Sequence, residues 1–377
     1  MNKLKILMID PWKNHYISGL VEELSINNDV TLFTNRYFDY HNSNTKIIKK
    51  FFKYSEKIKR GIIRKIVRGL EYVCAYISLL KYIKKGDYSI IHFQWLLFYK
   101  IDIHYLKKIR KTNRKLVLTA HNVTPHTNET KHIEDLREIY SIFDIILVHG
   151  EAIKQEFGLL FPEYISKVKI QFHGTYKYQD SSYDINLVTP FLQKLFISKC
   201  KVFIMFGNIF YNKGFDRIIE MWKLKNIVRD SILIVAGKIV QPYIELESQM
   251  HYILNDRSII YIPSYIDENT LRFLIDTSDC ILLPYRHASM SGVVFTAAAM
   301  KKTVLTTKTG AIPEYLDNKN SFIVENSNLE LLNTLEKIVS SIEKEKLKSM
   351  GEDLSDYINK SYSWEKICLN LIKYYKE

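Results

Sequence analysis

The 377-residue chain has no stretch of 18 uncharged apolar residues, so no transmembrane helix is expected. Its opening, MNKLKILMIDPW, holds too short an apolar run for a secretion signal and reads as a first β-strand. Cysteine is scarce and scattered. Cys74, Cys200, Cys280 and Cys368 have no paired spacing, which argues against a disulfide framework or a zinc site and fits buried thiols in a reducing cytosol. Acidic residues are nowhere paired in a metal-binding pattern, and there is neither a short-period repeat nor a low-complexity tract. One further absence is local. Between Lys46 and Lys85 stand 13 Lys/Arg and only two Glu, whereas the rest of the chain carries 41 basic and 39 acidic residues. The chain is therefore near-neutral with one strongly basic segment.

What is present is a soluble globular composition, 47% hydrophobic and 25% charged, in a chain too long for one ordinary core. Short β-branched runs recur: KILMID (5–10), DVTLFTN (29–35), YSIIHFQ (88–94), KLVLTAH (115–121), DIILVHG (144–150) and KVKIQFHG (167–174). Helical patterns such as Tyr16–Ile26 and Ile133–Ser141 separate them. Most runs lack period-2 alternation, as strands buried on both faces do, and strand–helix alternation predicts a parallel, doubly wound sheet. A second series follows: KVFIMFGN (201–208), SILIVAGK (231–238), SIIYIPSY (258–265), CILLPYR (280–286), TVLTTKTG (303–310) and NSFIVEN (320–326). Two comparable α/β halves are expected, with the boundary at about 178–200.

Ligands in such sheets bind outside the carboxyl ends of the strands. In the second half the first strand leads into FGNIFYNKGFDRIIEMW (206–222). Gly207 allows a turn close to a ligand, and Lys213-Gly214 precedes an amphipathic helix, adding a point charge to amides that already favour an anion. Three strands later comes LLPYRHASMSGVVFTAAAM (282–300), where Ser291 is placed to cap a helix over 292–300, Gly292 admits close backbone approach, and Arg286 offers a forked donor. A solvated lysine and a plain helix cap are the competing readings of each piece alone. Together, two cationic, amide-rich strand ends read as a cradle for a nucleotide diphosphate.

FGNIFYNKGFDRII, PYRHASMSGVVFTAAAMKKTVLTTKTGAIPEYL and SYSWEKI resemble the GT-B-fold nucleotide-sugar glycosyltransferases, more narrowly the large retaining "glycosyl transferases group 1" of bacterial polysaccharide synthesis. The resemblance is strong over 200–377 and looser before it, where HNVTPH (121–126), VHG (148–150) and FHGTY (172–176) carry it. It implies an α/β GT-B chain: two Rossmann-like, doubly wound parallel-sheet domains facing a cleft, over 1–180 and 200–360, with a last helix at 361–377, holding Trp364, crossing back to the first domain. It implies that Lys213 and the amides of Ser291, Gly292 and Val293 hold the diphosphate, that His121 touches the transferred sugar, and that Glu314 matches the glutamate of the family's glycine-rich turn. It also implies retention, with the leaving phosphate accepting the acceptor's proton. Two features depart from the pattern. Two glutamates seven residues apart, found in many members, fall here at Ala288 and Thr296. The arginine often found after the first glycine is Asn208. Lys213 and Arg286 are then left to carry the phosphate charge, and neither a metal nor another cofactor is expected, the nucleotide sugar being a substrate.

The first half is expected to hold the acceptor, with Asn14, His15, His126 and His173 as candidates; a solvated loop or a helix cap competes for each, and His149 reads equally as a packed histidine. The basic segment 47–85 reads as one helix, or two broken near Gly61, with an apolar stripe from Ile48 to Leu80 and Lys50, Lys53, Lys57, Arg60, Arg64 and Arg68 on the other face. A surface helix with a solvated basic face is the competing reading. A basic amphipathic helix suits an anionic membrane, each Lys or Arg adding about 1 kcal/mol near it. The resemblance points the same way, since many members of that family extend glycans on lipid carriers, so the expected acceptor is a glycan or lipid-linked glycan, and the expected location the cytoplasmic face of the cell membrane. An inactive glycosyltransferase-like partner is the first alternative and a basic nucleic-acid-binding protein the weaker one; no nucleic-acid partner is expected, since the segment holds no recognised nucleic-acid motif.

Overall fold

The computed structural model describes residues 3–12, 15–59, 61–124, 132–176, 183–193, 200–224 and 231–377. They fall into two units, Met1–Gly174 with Tyr362–Glu377, and Thr175–Ser361. The first unit contains β1 (Lys5–Asp10), α1 (His15–Asn27), β2 (Asp29–Asn35), β3 (Thr45–Phe51), α2 (Ile62–Lys85), β4 (Ile90–Phe93), α3 (Tyr99–Arg110), β5 (Lys115–Thr119), α4 (Ile133–Ile142), β6 (Ile145–Val148), α5 (Glu151–Leu160) and β7 (Val168–Ile170). The second contains α6 (Pro190–Gln193), β8 (Lys201–Phe206), α7 (Phe215–Trp222), β9 (Ser231–Ala236), α8 (Ile244–Glu247), α9 (Met250–Asn255), β10 (Ile259–Ile262), α10 (Glu268–Asp276), β11 (Cys280–Leu283), α11 (Gly292–Ala299), β12 (Thr303–Thr307), β13 (Phe322–Val324), α12 (Asn328–Ser341) and α13 (Lys344–Ser361). The final helix α14 (Trp364–Lys376) returns to the first unit.

The first sheet has the order β3-β2-β1-β4-β5-β6-β7 and the second β10-β9-β8-β11-β12-β13, with parallel pairing throughout. Each is doubly wound, and the order reverses between β1 and β4 in one and between β8 and β11 in the other. In open α/β sheets such reversals are where ligands bind, outside the carboxyl ends of the strands. The strands are apolar on both faces, as β4, β6 and β11 illustrate with every residue buried. Phe215, Ile218, Ile219 and Trp222 bury one face of α7 under the second sheet. In α14, Trp364, Ile367, Cys368, Leu371 and Tyr375 are buried in the first unit, each large apolar side chain contributing about 1.5–3 kcal/mol.

The basic segment differs from its expected form. Residues 45–51 form not a helix but β3, the edge strand of the first sheet, paired to β2 through an irregularity at Thr34/Asn35. Thr45, Ile48 and Phe51 are buried while Lys46 and Lys50 are exposed, so the lysines lie where an edge must be protected from further pairing. The Glu71 carboxylate then accepts the backbone N–H groups of Lys53, Tyr54 and Ser55, fastening the following turn to α2. α2 packs through Tyr72, Ala75, Tyr76, Leu79 and Ile83. In its first turns the apolar stripe is not packed on the first unit: Ile62, Ile63, Ile66 and Leu70 are 74%, 66%, 58% and 64% exposed. The aromatic set two turns further on fills the available surface instead.

Candidate functional site

In the second unit the strand ends at the switch point are tied together. After β8 the chain turns at Gly207 (φ +101°) and enters α7 through Gly214 (φ +69°), where a Cβ would meet the Pro284 carbonyl oxygen at 2.1 Å. Only glycine permits that approach of the β8 loop to the end of β11. It leaves the Lys213 ammonium donating to the Tyr285 hydroxyl at 2.9 Å and lying 4.1 Å from the centre of its ring. The Tyr285 oxygen is in turn 3.1 Å from Ser291 Oγ, which accepts the Val293 N–H as the N-cap of α11. A cation, a phenol, a hydroxyl and a helix N-terminus therefore stand in one hydrogen-bonded row at the carboxyl ends of β8 and β11. Cation and amide donors so disposed suit an anion. Tyr176 borders the row, since a Cβ on Gly292 would lie 2.6 Å from its hydroxyl. Glu314 lies in the single turn Ile312–Tyr315 after β12, half-buried.

Arg286 is differently employed. Its guanidinium donates to both carboxylate oxygens of Asp216, at 2.8 and 2.5 Å, and to the Tyr211 carbonyl at 2.9 Å. Asp216, in the first turn of α7, is buried and also accepts from the Tyr243 hydroxyl. The Asp216 partner holds the Arg286 pKa above its ordinary value. Arg286 thus fastens the loop after β11 to α7, with its charge matched. Arg217, buried beside it, donates to Asn326, Asn328 and the Pro284 carbonyl.

In the first unit the strand ends carry imidazoles. His121 follows β5, His149 follows β6 and His173 stands three residues past β7. Parallel strands in adjacent register bring the first two together: His121 Nδ1 is 2.9 Å from His149 Nε2, and His149 Nδ1 donates to the Gln171 carbonyl at 2.9 Å. Trp95 stacks on His121 with ring centroids 4.3 Å apart and planes 7° apart, and Tyr16 meets the ring edge-on at 5.1 Å. His173 is buried against Tyr16 and donates through Nδ1 to the Gly174 carbonyl. His92 lies under the cluster at the end of β4. Burial pushes the His149 pKa down to about 4 and those of His92 and His173 to about 3, and burial with the neighbouring imidazoles pushes His121 well below its usual value. Burial thus favours neutral rings at neutral pH. Among the described residues no group of three His, Cys, Asp or Glu is arranged to hold a metal ion.

Of the other residues expected at a site, His15 opens α1, while Asn14, Arg60 and His126 lie outside the described residues. Lys50, Lys53 and Lys57 are exposed, and Arg64 is half-buried. Arg68 is engaged, donating to Glu56 at 3.1 Å with its guanidinium 3.7 Å from the Phe52 ring centre. The sequence reading did not single out Tyr285, Asp216, Gln94, Trp95 or Gln171. A signal for the imidazole cluster was present: the pieces TAH, LVHG and QFHG each place a histidine just past a strand of the same sheet.

Two all-parallel α/β units, with the terminal helix returned to the first and a hydrogen-bonded row of cation, phenol and helix cap at the switch point of the second, have the GT-B fold. Residues 200–341, within the second unit, match the model of the family "Glycosyl transferases group 1". Over the whole chain the structure is similar to the catalytic domain of starch synthase IV from Arabidopsis thaliana, solved with ADP and acarbose (12% identity, 100% of this chain and 99% of that one covered, TM-score 0.77). It is similar to sucrose-phosphate synthase from Thermosynechococcus elongatus (15%, 99% and 98%, TM-score 0.73). It is likewise similar to HepE of Anabaena in complex with UDP and glucose (14%, 98% and 98%, TM-score 0.70). At such identities the likeness is one of fold. Comparison with curated proteins gives no match.

Proposed function

We propose that the chain is a hexosyltransferase that moves a hexose from a UDP- or GDP-sugar to a lipid-linked glycan during cell-surface polysaccharide synthesis, with retention and without a metal. The observation that carries this reading is the row Lys213–Tyr285–Ser291 at the β8/β11 switch point, inside the stretch that matches the glycosyltransferase family. Breaking the bond between sugar and diphosphate leaves negative charge on the phosphate as the anomeric carbon becomes cationic. A fixed ammonium and a helix N-terminus aimed at the phosphate stabilise that charge without reorganising. HepE with UDP and glucose and starch synthase IV with ADP show related folds holding such nucleotides. In this reading His121 touches the transferred sugar, and the loop after β1, with Asn14 and His15, belongs to the acceptor side together with His126 and His173.

The first turns of α2 support a membrane-bound acceptor. Ile62, Ile63, Ile66 and Leu70 are exposed with Lys65 among them, and Lys53 and Lys57 stand exposed just before the helix. Apolar and basic side chains on one surface suit the headgroup region of an anionic leaflet. The enzyme would then work peripherally on the cytoplasmic face of the cell membrane.

Calorimetric titration with UDP, GDP and ADP, followed by transfer assays with the matching sugars in the presence of EDTA, tests the donor half. We expect one diphosphate to bind and its sugar nucleotide to be turned over with EDTA present. Binding without turnover of any sugar would identify an inactive relative, and no binding at all would defeat the reading. Co-sedimentation with vesicles tests the membrane half: binding should require anionic lipid, weaken with salt and fall when Ile63 and Ile66 become serine. Equal recovery in the supernatant with neutral and anionic vesicles would remove it.

A further inference from the structure

The imidazole cluster continues beyond His121 and His149. His121 Nε2 is 3.2 Å from the side-chain amide of Gln94, and the other end of that amide is 3.2 Å from His92 Nε2. His92 Nε2 also reaches Thr119 Oγ1 at 2.8 Å, and His92 Nδ1 is 2.6 Å from the Tyr375 hydroxyl of α14. One unbroken hydrogen-bonded chain thus runs Tyr375–His92–Gln94–His121–His149–Gln171, all within the first unit.

One end of the chain has no choice of direction. The Gln171 carbonyl accepts only, so the proton of that bond is on His149 Nδ1. A neutral imidazole has a single N–H, so His149 Nε2 presents a lone pair. His121 must then donate to it from Nδ1, leaving its own Nε2 as an acceptor. Gln94 must offer its NH2 to that nitrogen, its oxygen accepts from His92 Nε2–H, and His92 Nδ1 accepts the Tyr375 O–H. Every ring nitrogen on this path is satisfied in this neutral arrangement, and the contact given up is the one from the amide to Met8 Sδ.

As the amide lies in this structure, Gln94 Oε1 faces His121 and its NH2 faces His92 Nε2 and Met8 Sδ. That orientation requires an N–H at His121 Nε2 as well. The His121–His149 pair then holds three ring protons where two neutral rings hold two, and carries one positive charge. The orientation of the Gln94 amide and the charge of the pair are therefore coupled. Burial beside His92 and His173 opposes a charge there, which favours the turned amide; oxygen and nitrogen occupy the same outline in either case.

We propose that His149 and Gln94 are positioning residues that hold His121 neutral and in its Nδ1–H tautomer. The inference rests on the reading of His121 as the sugar contact and says what that contact requires. In glycosyl transfer the anomeric carbon becomes cationic, and an imidazolium beside it would oppose the transition state. A neutral ring, kept in plane by the Trp95 stack, does not. The groups that face this ring from the neighbouring elements and bear on its charge are His92, His149, His173 and Tyr16.

The test is a two-bond nitrogen–proton correlation spectrum of the full-length protein carrying ¹⁵N-labelled histidine rings, at pH 7. His121 and His149 should each show a protonated Nδ1 and an unprotonated Nε2. His149→Gln should keep the His121 tautomer, because its amide can accept from His121 and donate to Gln171. His149→Leu should release the His121 tautomer and lower kcat of transfer roughly two- to tenfold at unchanged donor KM, the loss expected of one hydrogen bond. An Nε2–H or doubly protonated His121 in the wild type overturns the proposal, as does an unchanged tautomer in His149→Leu. If His149→Leu does not fold, the wild-type and His149→Gln spectra decide. Failure of the underlying reading looks different: His121→Ala would then transfer sugar normally, whatever the spectra show.

Discussion

The two strand-end regions solve opposite electrostatic problems on the same kind of scaffold. At the end of the second sheet an ammonium and a helix N-terminus are left available to an anion, and the competing cation, Arg286, is engaged by Asp216. At the end of the first sheet four histidines are packed together, and burial disfavours charge on each of them. A transferase of nucleotide sugars has use for both: positive potential for the departing diphosphate, and a neutral polar surface for the sugar whose ring acquires positive charge. The comparison teaches that a motif's cation count overstates its binding potential, because one of two cations at the same strand ends holds the loop together.

Substituting each cation in turn should break the comparison most sharply. Lys213→Ala removes a charged donor from the proposed diphosphate site, and such a contact is worth about 1.5–3 kcal/mol, so donor affinity or turnover should fall by roughly ten- to a hundredfold. Arg286→Ala should instead lower stability, by about 1–3 kcal/mol, because it leaves the buried Asp216 carboxylate without its main partner. Donor titration and urea unfolding of both variants are the measurements. Equal donor loss in the two would return Arg286 to the phosphate site. In a parallel arm, His121→Ala should cut transfer while nucleoside diphosphate binding persists, since its contact is to sugar.

The two regions were also unequally legible in the sequence. The second site is built from short pieces, Lys213-Gly214 before α7 and Ser291-Gly292 before α11, where the local physics of caps and glycine turns is written in adjacent residues. The first is built mostly from partners 22 to 28 residues apart on neighbouring strands, with Tyr375 of α14 283 residues from His92, and only the sheet order and the returning helix bring them together. Strand positions read from β-branched runs recur in the structure at β1, β2 and β4 to β13, because buried parallel strands leave a plain apolar signature. β3 was missed: Ile47, Ile48, Phe51 and Phe52 among lysines fit a helical period as readily as an edge strand. The exposed face of α2 was misjudged for a related reason. Periodicity identifies a stripe but not what covers it, and here Tyr72 and Tyr76, hydrogen-bonded to the buried Asp102, take the packed side.

Acid should separate the units. The four depressed histidines, His92, His121, His149 and His173, all belong to the first. Their folded pKa values lie below the unfolded value near 6.5, so the unfolded chain binds more protons below that pH and their stabilisation, complete above about 6.5, is lost as pH falls. Asp10 and Asp102, also in the first unit, act in the opposite sense: burial raises both to about 7, so the folded state holds their protons between about pH 7 and 4 and gains stability there. Four groups against two leave a net loss of stability as pH falls from 6 to 5. In the second unit the shifted carboxylate among the described residues is Asp267, exposed at the N-cap of α10. Hydrogen exchange at pH 7 and 5 should therefore show protection falling in β4 to β7 and holding in β8, β11 and β12. Uniform loss in both sheets would mean that the imidazole cluster is not the acid-sensitive element.

The smallest expected effect isolates the row itself. Tyr285→Phe keeps the ring beneath the Lys213 ammonium, and so the cation–π contact at 4.1 Å, but removes the hydroxyl that joins Lys213 to Ser291. One neutral hydrogen bond of this kind contributes about 0.5–1.5 kcal/mol. The Ser291 cap on Val293 is untouched, so α11 should keep its stability. The ammonium keeps its charge but loses its fixed direction, so donor affinity should weaken roughly two- to tenfold. If the phenol merely occupies Lys213 until a diphosphate displaces it, the same variant would bind donor more tightly, because there is one less bond to break. The sign of the change in Kd for the nucleoside diphosphate distinguishes a pre-aimed cation from a latched one. A pre-aimed cation follows from the geometry, because Tyr285 is fixed from two sides, its carbonyl accepting from Thr307 Oγ1 and its hydroxyl meeting the helix cap, and so supplies a rigid anchor for a flexible side chain.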